Sequence, residues 1–149
     1  MVDRPEDLAY LLIALLLGAV IGAERQIRGH PAGVHTNGLV ALGSAAFVVF
    51  GMLLGDTTGP SRIAGQVVTG VGFLCAGVMI HQRGTVRGLN TAATIWCASA
   101  VGVLAGAGLL EWAVVTALLV LASNIVLHEL EHRLFAKWRL HPDDGDDPT

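Results

Sequence analysis

Along this chain, long uncharged apolar runs alternate with short polar stretches. The runs are Leu8 to Ala23, Leu39 to Leu54, Ile63 to Ile80, Ala92 to Leu110 and Trp112 to Leu127. Each approaches the ~20 residues with which an α-helix crosses the hydrocarbon core of a bilayer, and the shorter ones can borrow interfacial residues at their ends. Nothing in these runs alternates with period two, which argues against a membrane β-barrel. The pattern predicts an all-α membrane protein of five transmembrane helices.

Composition agrees. Of 149 residues, 53% are hydrophobic and only 14% charged, with a mean hydropathy of +0.63. That is too apolar for an ordinary soluble domain of this length. The first run has the length of a secretory signal, but its flank is Asp3, Arg4, Glu6 and Asp7 rather than a cationic region, so a retained span is expected. Charge sets the orientation. With the N-terminus outside, Arg25, Arg28, Arg83, Arg87, Arg133, Lys137 and Arg139 fall on the inner side, and only Arg4 and Arg62 lie outside. This is the positive-inside pattern, and it predicts a cytoplasmic C-terminus. The expected organisation is a five-helix membrane domain over 1–127, an amphipathic helical extension along the membrane surface over 128–140, and a disordered acidic tail over 141–149. The net charge of −3 says little about partners beyond the bilayer, and no nucleic-acid partner is expected. Cys75 and Cys97 sit inside apolar runs and read as free thiols.

Helices in lipid pack through small residues that let backbones approach. Gly18 and Gly22 form such a pair in the first run, Ala98, Gly102 and Gly106 a stripe in the fourth, and Gly72 and Gly77 belong to a glycine-rich third run. These faces are expected to meet protein, within the subunit or in a homodimer. "GVGFLCAG" matches the start of a dinucleotide fingerprint, yet Cys75 replaces the third glycine and no strand precedes it, so the match is accidental.

Polar residues gather at the run ends. Glu24, Arg25, Gln26 and Arg28 close the first, and the chain then returns through Pro31, Gly33 and an expected Asn37-Gly38 turn. On the same side lie His35, Arg83, Arg87 and Asn90, the last placed to cap the fourth helix. Glu24, Arg25, Arg28, His35, Arg83, Arg87 and Asn90 therefore form a candidate functional cluster. Asp56, Arg62 and Gln66 make a smaller one on the outer side. Snorkelling, capping and neutralisation of a short loop are the plain alternatives.

"HELEH", His128 to His132, spells the zinc-protease motif in which two histidines one turn apart hold the metal and Glu129 would be the base. The extended pattern needs a glycine and a third histidine where this chain has Phe135 and Trp138, and no later span brings an aspartate. His128 and His132 support adventitious metal binding, and a zinc-dependent membrane hydrolase is a remote alternative that would need an open tetrahedral site; no catalytic residue, resident metal or cofactor is expected.

The strings "GAVIGAERQIRGHPAGVHTNGLVALG", "SRIAGQVVTGVGFLCAGVMI" and "VRGLNTAATIWCASAVG" closely resemble the MgtC/SapB family of bacterial inner-membrane proteins, from about Leu12 to Leu127. The family's E-R-Q signature falls on Glu24, Arg25 and Gln26. Its A-G-x-R-T segment falls on Ala32, Gly33, His35 and Thr36, its R-I-A-x-Q on Arg62, Ile63, Ala64 and Gln66, and its V-R-G-L-N-T-A-A-T on Val86 through Thr94. His35 departs from the usual arginine, replacing a permanent cation with a titratable group. The resemblance implies a non-enzymatic regulator of adaptation to magnesium limitation and of survival inside macrophages, acting on a membrane complex such as ATP synthase. A magnesium or other ion transporter is the alternative. The soluble C-terminal domain of longer members has no counterpart in this sequence, as expected either of a short stand-alone member or of the membrane domain of a longer protein.

Overall fold

A computed structural model describes residues 5–55, 58–82 and 85–135. Among them are five helices: α1 (Pro5–Ile27), α2 (Val34–Leu53), α3 (Gly59–Val78), α4 (Leu89–Gly106) and α5 (Leu110–Phe135). The apolar runs set their positions, and local chemistry sets their ends. In α1, Glu6 and Asp7 occupy the first turn and Arg25 the last, each complementing the helix dipole. In α3 a proline stands in the first turn, where its missing N–H costs nothing.

Between α3 and α4 the chain forms a small antiparallel hairpin that the periodicity did not announce, β1 (Ile80–Gln82) against β2 (Thr85–Arg87), with Ile80 opposite Arg87. Three residues per strand are too few for an alternating pattern to register. The hairpin ends at Gly88, whose φ of 91° is left-handed and gives α4 its entry angle. Asn90, expected as the cap of α4, stands instead one residue inside the helix; the cap position belongs to Gly88. Asn37 and Gly38, expected as a turn, are buried within α2.

Among the described residues, four helices are long and apolar enough to cross a membrane, namely Glu6–Ile27, Val34–Leu53, Gly59–Val78 and Leu89–Gly106. The fifth has a shorter apolar segment, Leu110–Val126, and then runs on unbroken to Phe135. Residues 128–135 thus continue α5, whose 26 residues extend about 39 Å, beyond the ~30 Å of a hydrocarbon core.

Helix α4 is the hub, touching α1, α2, α3 and α5. One buried cluster joins Ala14 and Ile21 of α1 to Ala45, Val101, Ala105, Ala113 and Ala117. A second joins Val67, Val71 and Cys75 of α3 to Ala92 and Ile95 of α4. Alanine dominates the first because the backbones lie so close. A methyl on Gly106 would stand 2.6 Å from the Ala45 carbonyl oxygen, and one on Gly18 2.5 Å from that of Asn37. Gly22 meets Gly33 and Val34, and Gly102 meets Ala41, equally closely. The Ser44 and Ser99 hydroxyls, 3.2 Å apart and buried, link α2 to α4, and the Cys75 thiol donates to the Ala92 carbonyl at 3.2 Å.

Candidate functional site

At one end of the bundle the last turn of α1 meets the first turns of α2 and α4 and the later part of α5. Arg25 is drawn into it. Its side chain is 2% exposed, its Nη2 donates to the Thr91 hydroxyl at 3.2 Å, and its Nε has no hydrogen-bond partner. A guanidinium in so dry a place is costly unless neighbours compensate. The adjacent carboxylate, however, is directed elsewhere. Glu24 Oε1 pairs with Arg28 Nε at 2.6 Å, without the alignment of a hydrogen bond, and Glu24 Oε2 accepts from Asn124 Nδ2 of α5 at 3.3 Å. Two cations and one anion leave this turn with an excess positive charge.

The connection from α1 to α2 is fixed by two amides. Gln26 accepts a hydrogen bond from the Val34 backbone N–H at 3.3 Å, which satisfies one orphan donor of α2. Asn37, completely buried, donates to the carbonyls of Ala32 at 2.6 Å and Gly33 at 3.2 Å. Ala32 has φ 60°, a left-handed conformation unusual for a residue with a side chain. The Asn37 amide therefore holds a strained corner in place, and its own Oδ1 lies buried with no partner.

Of the cluster expected from the sequence, the structure brings Glu24, Arg25 and Arg28 together and leaves His35, Arg87 and Asn90 exposed at the same end. Thr94 donates to the Asn90 backbone carbonyl at 2.9 Å, so the Asn90 side chain takes no part in that bond. Arg83 and Asp56 lie outside the described residues, and Arg62 and Gln66 are exposed on α3. Three participants were not anticipated: Thr91, Asn37 and Asn124. Only Asn124 interrupts an apolar run; Asn37 and Thr91 stand just before the second and fourth runs, where nothing in the sequence sets them apart from other helix-end polar residues. The side chains of His128 and His132 lie outside the description; among the described residues no group of three or more His, Cys, Asp or Glu could hold a metal ion.

The small residues divide into two groups. Gly18, Gly22, Gly102 and Gly106 meet α2, and Ala98 is buried, whereas Gly72 and Gly77 on α3 have nothing within 4 Å.

Fold and site together define a multi-span helical membrane protein with a hydrogen-bonded polar cluster at one end. This chain belongs to the MgtC family, whose pattern matches residues 11–133. It is 52% identical to Protein MgtC of Brucella abortus (strain 2308) over 82% of its length and 51% of the relative's. Against Protein MgtC of Salmonella typhimurium (strain LT2) the identity is 49%, over 83% of this chain and 53% of that one. An uncharacterized protein of Synechocystis is 48% identical over 84% and 53% of the two chains. The chain thus spans about half the length of these relatives. No solved structure matches it.

Proposed function

We propose that this chain is a non-enzymatic regulatory protein of the bacterial inner membrane, serving adaptation to magnesium limitation and survival inside host cells by modulating ATP synthase or another membrane complex. In this reading the N-terminus is outside, and the polar cluster faces the cytoplasm. The observation that carries it is how the bundle is closed. Backbone contact at Gly18, Gly22, Gly102 and Gly106, with alanines between, fills the space between α1, α2 and α4. An ion path needs polar groups along a passage. Here, between the ends of α2 and α4, the Ser44 and Ser99 hydroxyls meet each other, and Asp7 lies buried near the start of α1. The buried guanidinium and amide, Arg25 and Asn37, stand at one end with His35, Arg87 and Asn90 exposed beside them. That is the form of a docking face.

Inverted bacterial membrane vesicles making ATP from a proton gradient provide the test. Wild-type protein should lower the rate of ATP synthesis. Asn90→Ala, altered on an exposed residue, should lower it less at equal abundance. An unchanged rate with wild type would remove ATP synthase as the target.

A further inference from the structure

The buried guanidinium of Arg25 points at the mouth of α4. Its Nη2 donates to the hydroxyl of Thr91, the third residue of that helix, and its Nε is buried with no hydrogen-bond partner. The neighbouring carboxylate does not answer this charge, because Glu24 is taken by Arg28 and Asn124. The start of α4 is itself rich in donors. Its first N–H to find a carbonyl is that of Ala92, which bonds to Gly88 at 2.9 Å. The N–H groups of Leu89, Asn90 and Thr91 precede it, and no side chain caps them. A glycine holds the cap position, and Leu89 and Asn90 are exposed.

Three features join the buried cation in giving this spot the character of an anion site. The first is backbone shape. Gly88 is left-handed, at φ 91° and ψ 2°, and right-handed helix follows it, so successive N–H groups converge on one concavity of the kind that holds anionic oxygens. A side chain cannot replace this glycine, since a methyl there would stand 2.8 Å from the Val78 carbonyl oxygen. The second is charge. The positive end of the α4 dipole, Arg25 behind it and the exposed Arg87 just before Gly88 all favour a negative group. The third is depth. Leu89 opens a span that runs to Gly106, so the first turn of α4 lies where hydrocarbon gives way to headgroups. The anion abundant at that depth is lipid phosphate, whose oxygens suit both N–H groups and guanidinium.

We infer that the first turn of α4 binds a phosphate group, with the headgroup of an anionic phospholipid as the source that its depth favours. The N–H groups of Leu89 and Asn90 hold the phosphate oxygens, and Arg87 pairs with them from the solvent side. Arg25 supplies a fixed positive charge from within. Thr91 stands between, its hydroxyl accepting from Arg25 and keeping its own hydrogen to donate. The bound phosphate in turn offsets the desolvated guanidinium, so Arg25 is a costly residue without the anion and a useful one with it. None of this depends on which complex the chain regulates.

The test uses the full chain in a maltoside detergent, which carries no phosphate. It is titrated at constant ionic strength with phosphatidylglycerol, with inorganic phosphate, or with a diacylglycerol of the same acyl chains, and read by thermal unfolding and by the adducts retained in native mass spectrometry. Phosphatidylglycerol is expected to give a one-to-one adduct and to raise Tm by about 5 °C, and the diacylglycerol to do neither. The same rise with inorganic phosphate but not with phosphatidylglycerol would uphold the site and make a soluble anion its occupant. Arg25→Met should cut the adduct roughly tenfold, while the lipid-free variant melts no lower than wild type, as a buried cation without its anion requires. Should that variant fail to accumulate, Arg87→Gln should cut the adduct roughly threefold with the lipid-free Tm unchanged, and Arg62→Gln, exposed at the opposite end of the bundle, should leave it as it was. No rise with either phosphate source, an equal rise with the diacylglycerol, an Arg25→Met that loses stability equally with and without lipid, or equal loss of adduct from Arg87→Gln and Arg62→Gln would each overturn the inference.

Discussion

Helices α3 and α4 have similar lengths, 20 and 18 residues, and both carry glycines, five against two, but the glycines behave in opposite ways. Of the 18-residue window in α4, 56% is buried, against 17% in α3. In α4 the glycines are points of contact: Gly102 and Gly106 rest on the backbone of α2, where a single methyl would collide. In α3 the glycines at 65, 70, 72 and 77 touch nothing within the subunit. A glycine in a transmembrane helix therefore stands in two kinds of place, one where it holds the fold and one where it leaves open space along the helix. In water the two would differ sharply, because exposed apolar surface is costly; in lipid an unpartnered apolar face is tolerated.

The largest expected effect is at the tight contact. Gly102→Val should destabilise the bundle by about 3 kcal/mol or prevent accumulation, because neither backbone can retreat. Gly72→Val, placed in open space, should change thermal stability in detergent by less than about 0.5 kcal/mol. Comparable losses at both positions would erase the distinction between the helices.

Next comes the buried cation. Thr91→Val keeps the volume but removes the hydroxyl that Arg25 meets, and should cost about 2 kcal/mol by leaving a buried guanidinium without that partner. Arg25→Met in the Thr91→Val background should recover part of the loss, which a double-mutant cycle of denaturation midpoints would read. Failure to recover would show that the hydroxyl acts through α4 packing rather than through the cation.

A gain is expected at the corner between α1 and α2. Ala32→Gly relieves the left-handed alanine at φ 60° and should stabilise by roughly 1 kcal/mol, reduced by the extra freedom of glycine in the unfolded chain. A loss on thermal unfolding would mean that the alanine methyl contributes packing worth more than the strain. The smallest effect belongs to the hydroxyl link between α2 and α4, where Ser99→Ala should cost about 0.6 kcal/mol, in line with side-chain hydrogen bonds between membrane helices. A cost several times larger would make the hydroxyl pair, rather than the glycine contacts, the principal tie between these helices.

Much of the fold was legible because hydropathy reports solvent, and lipid imposes helices on apolar runs. The five runs fall within α1 to α5 except at their ends; Ile80, assigned to the third run, begins the hairpin instead. What escaped was partner choice. Gly18 and Gly102 look alike in sequence to Gly72 and Gly77, since spacing states that a face is small without stating what stands opposite. The Asn37-Gly38 pair looked like a turn because that dipeptide suits one. Within α2 the Asn37 side chain instead reaches back to carbonyls at the preceding corner, a local bond that competes with the turn it would otherwise make. Glu24, Arg25 and Arg28 were visible as charges at a helix end; Thr91 and Asn124 were not, because their role depends on contacts 66 and 100 residues away in the chain.

Whether the closed bundle belongs to a regulator or to a transporter is decided in cells. A deletion strain grown in low magnesium, complemented with wild type or with Asn90→Ala at matched protein abundance, would be followed for growth, cellular ATP and magnesium uptake together. The expected result is that wild type restores growth and lowers ATP with uptake unchanged, and that Asn90→Ala weakens both effects. Uptake that rises with the wild-type protein and falls with the variant at equal abundance would contradict this and make the protein a transporter.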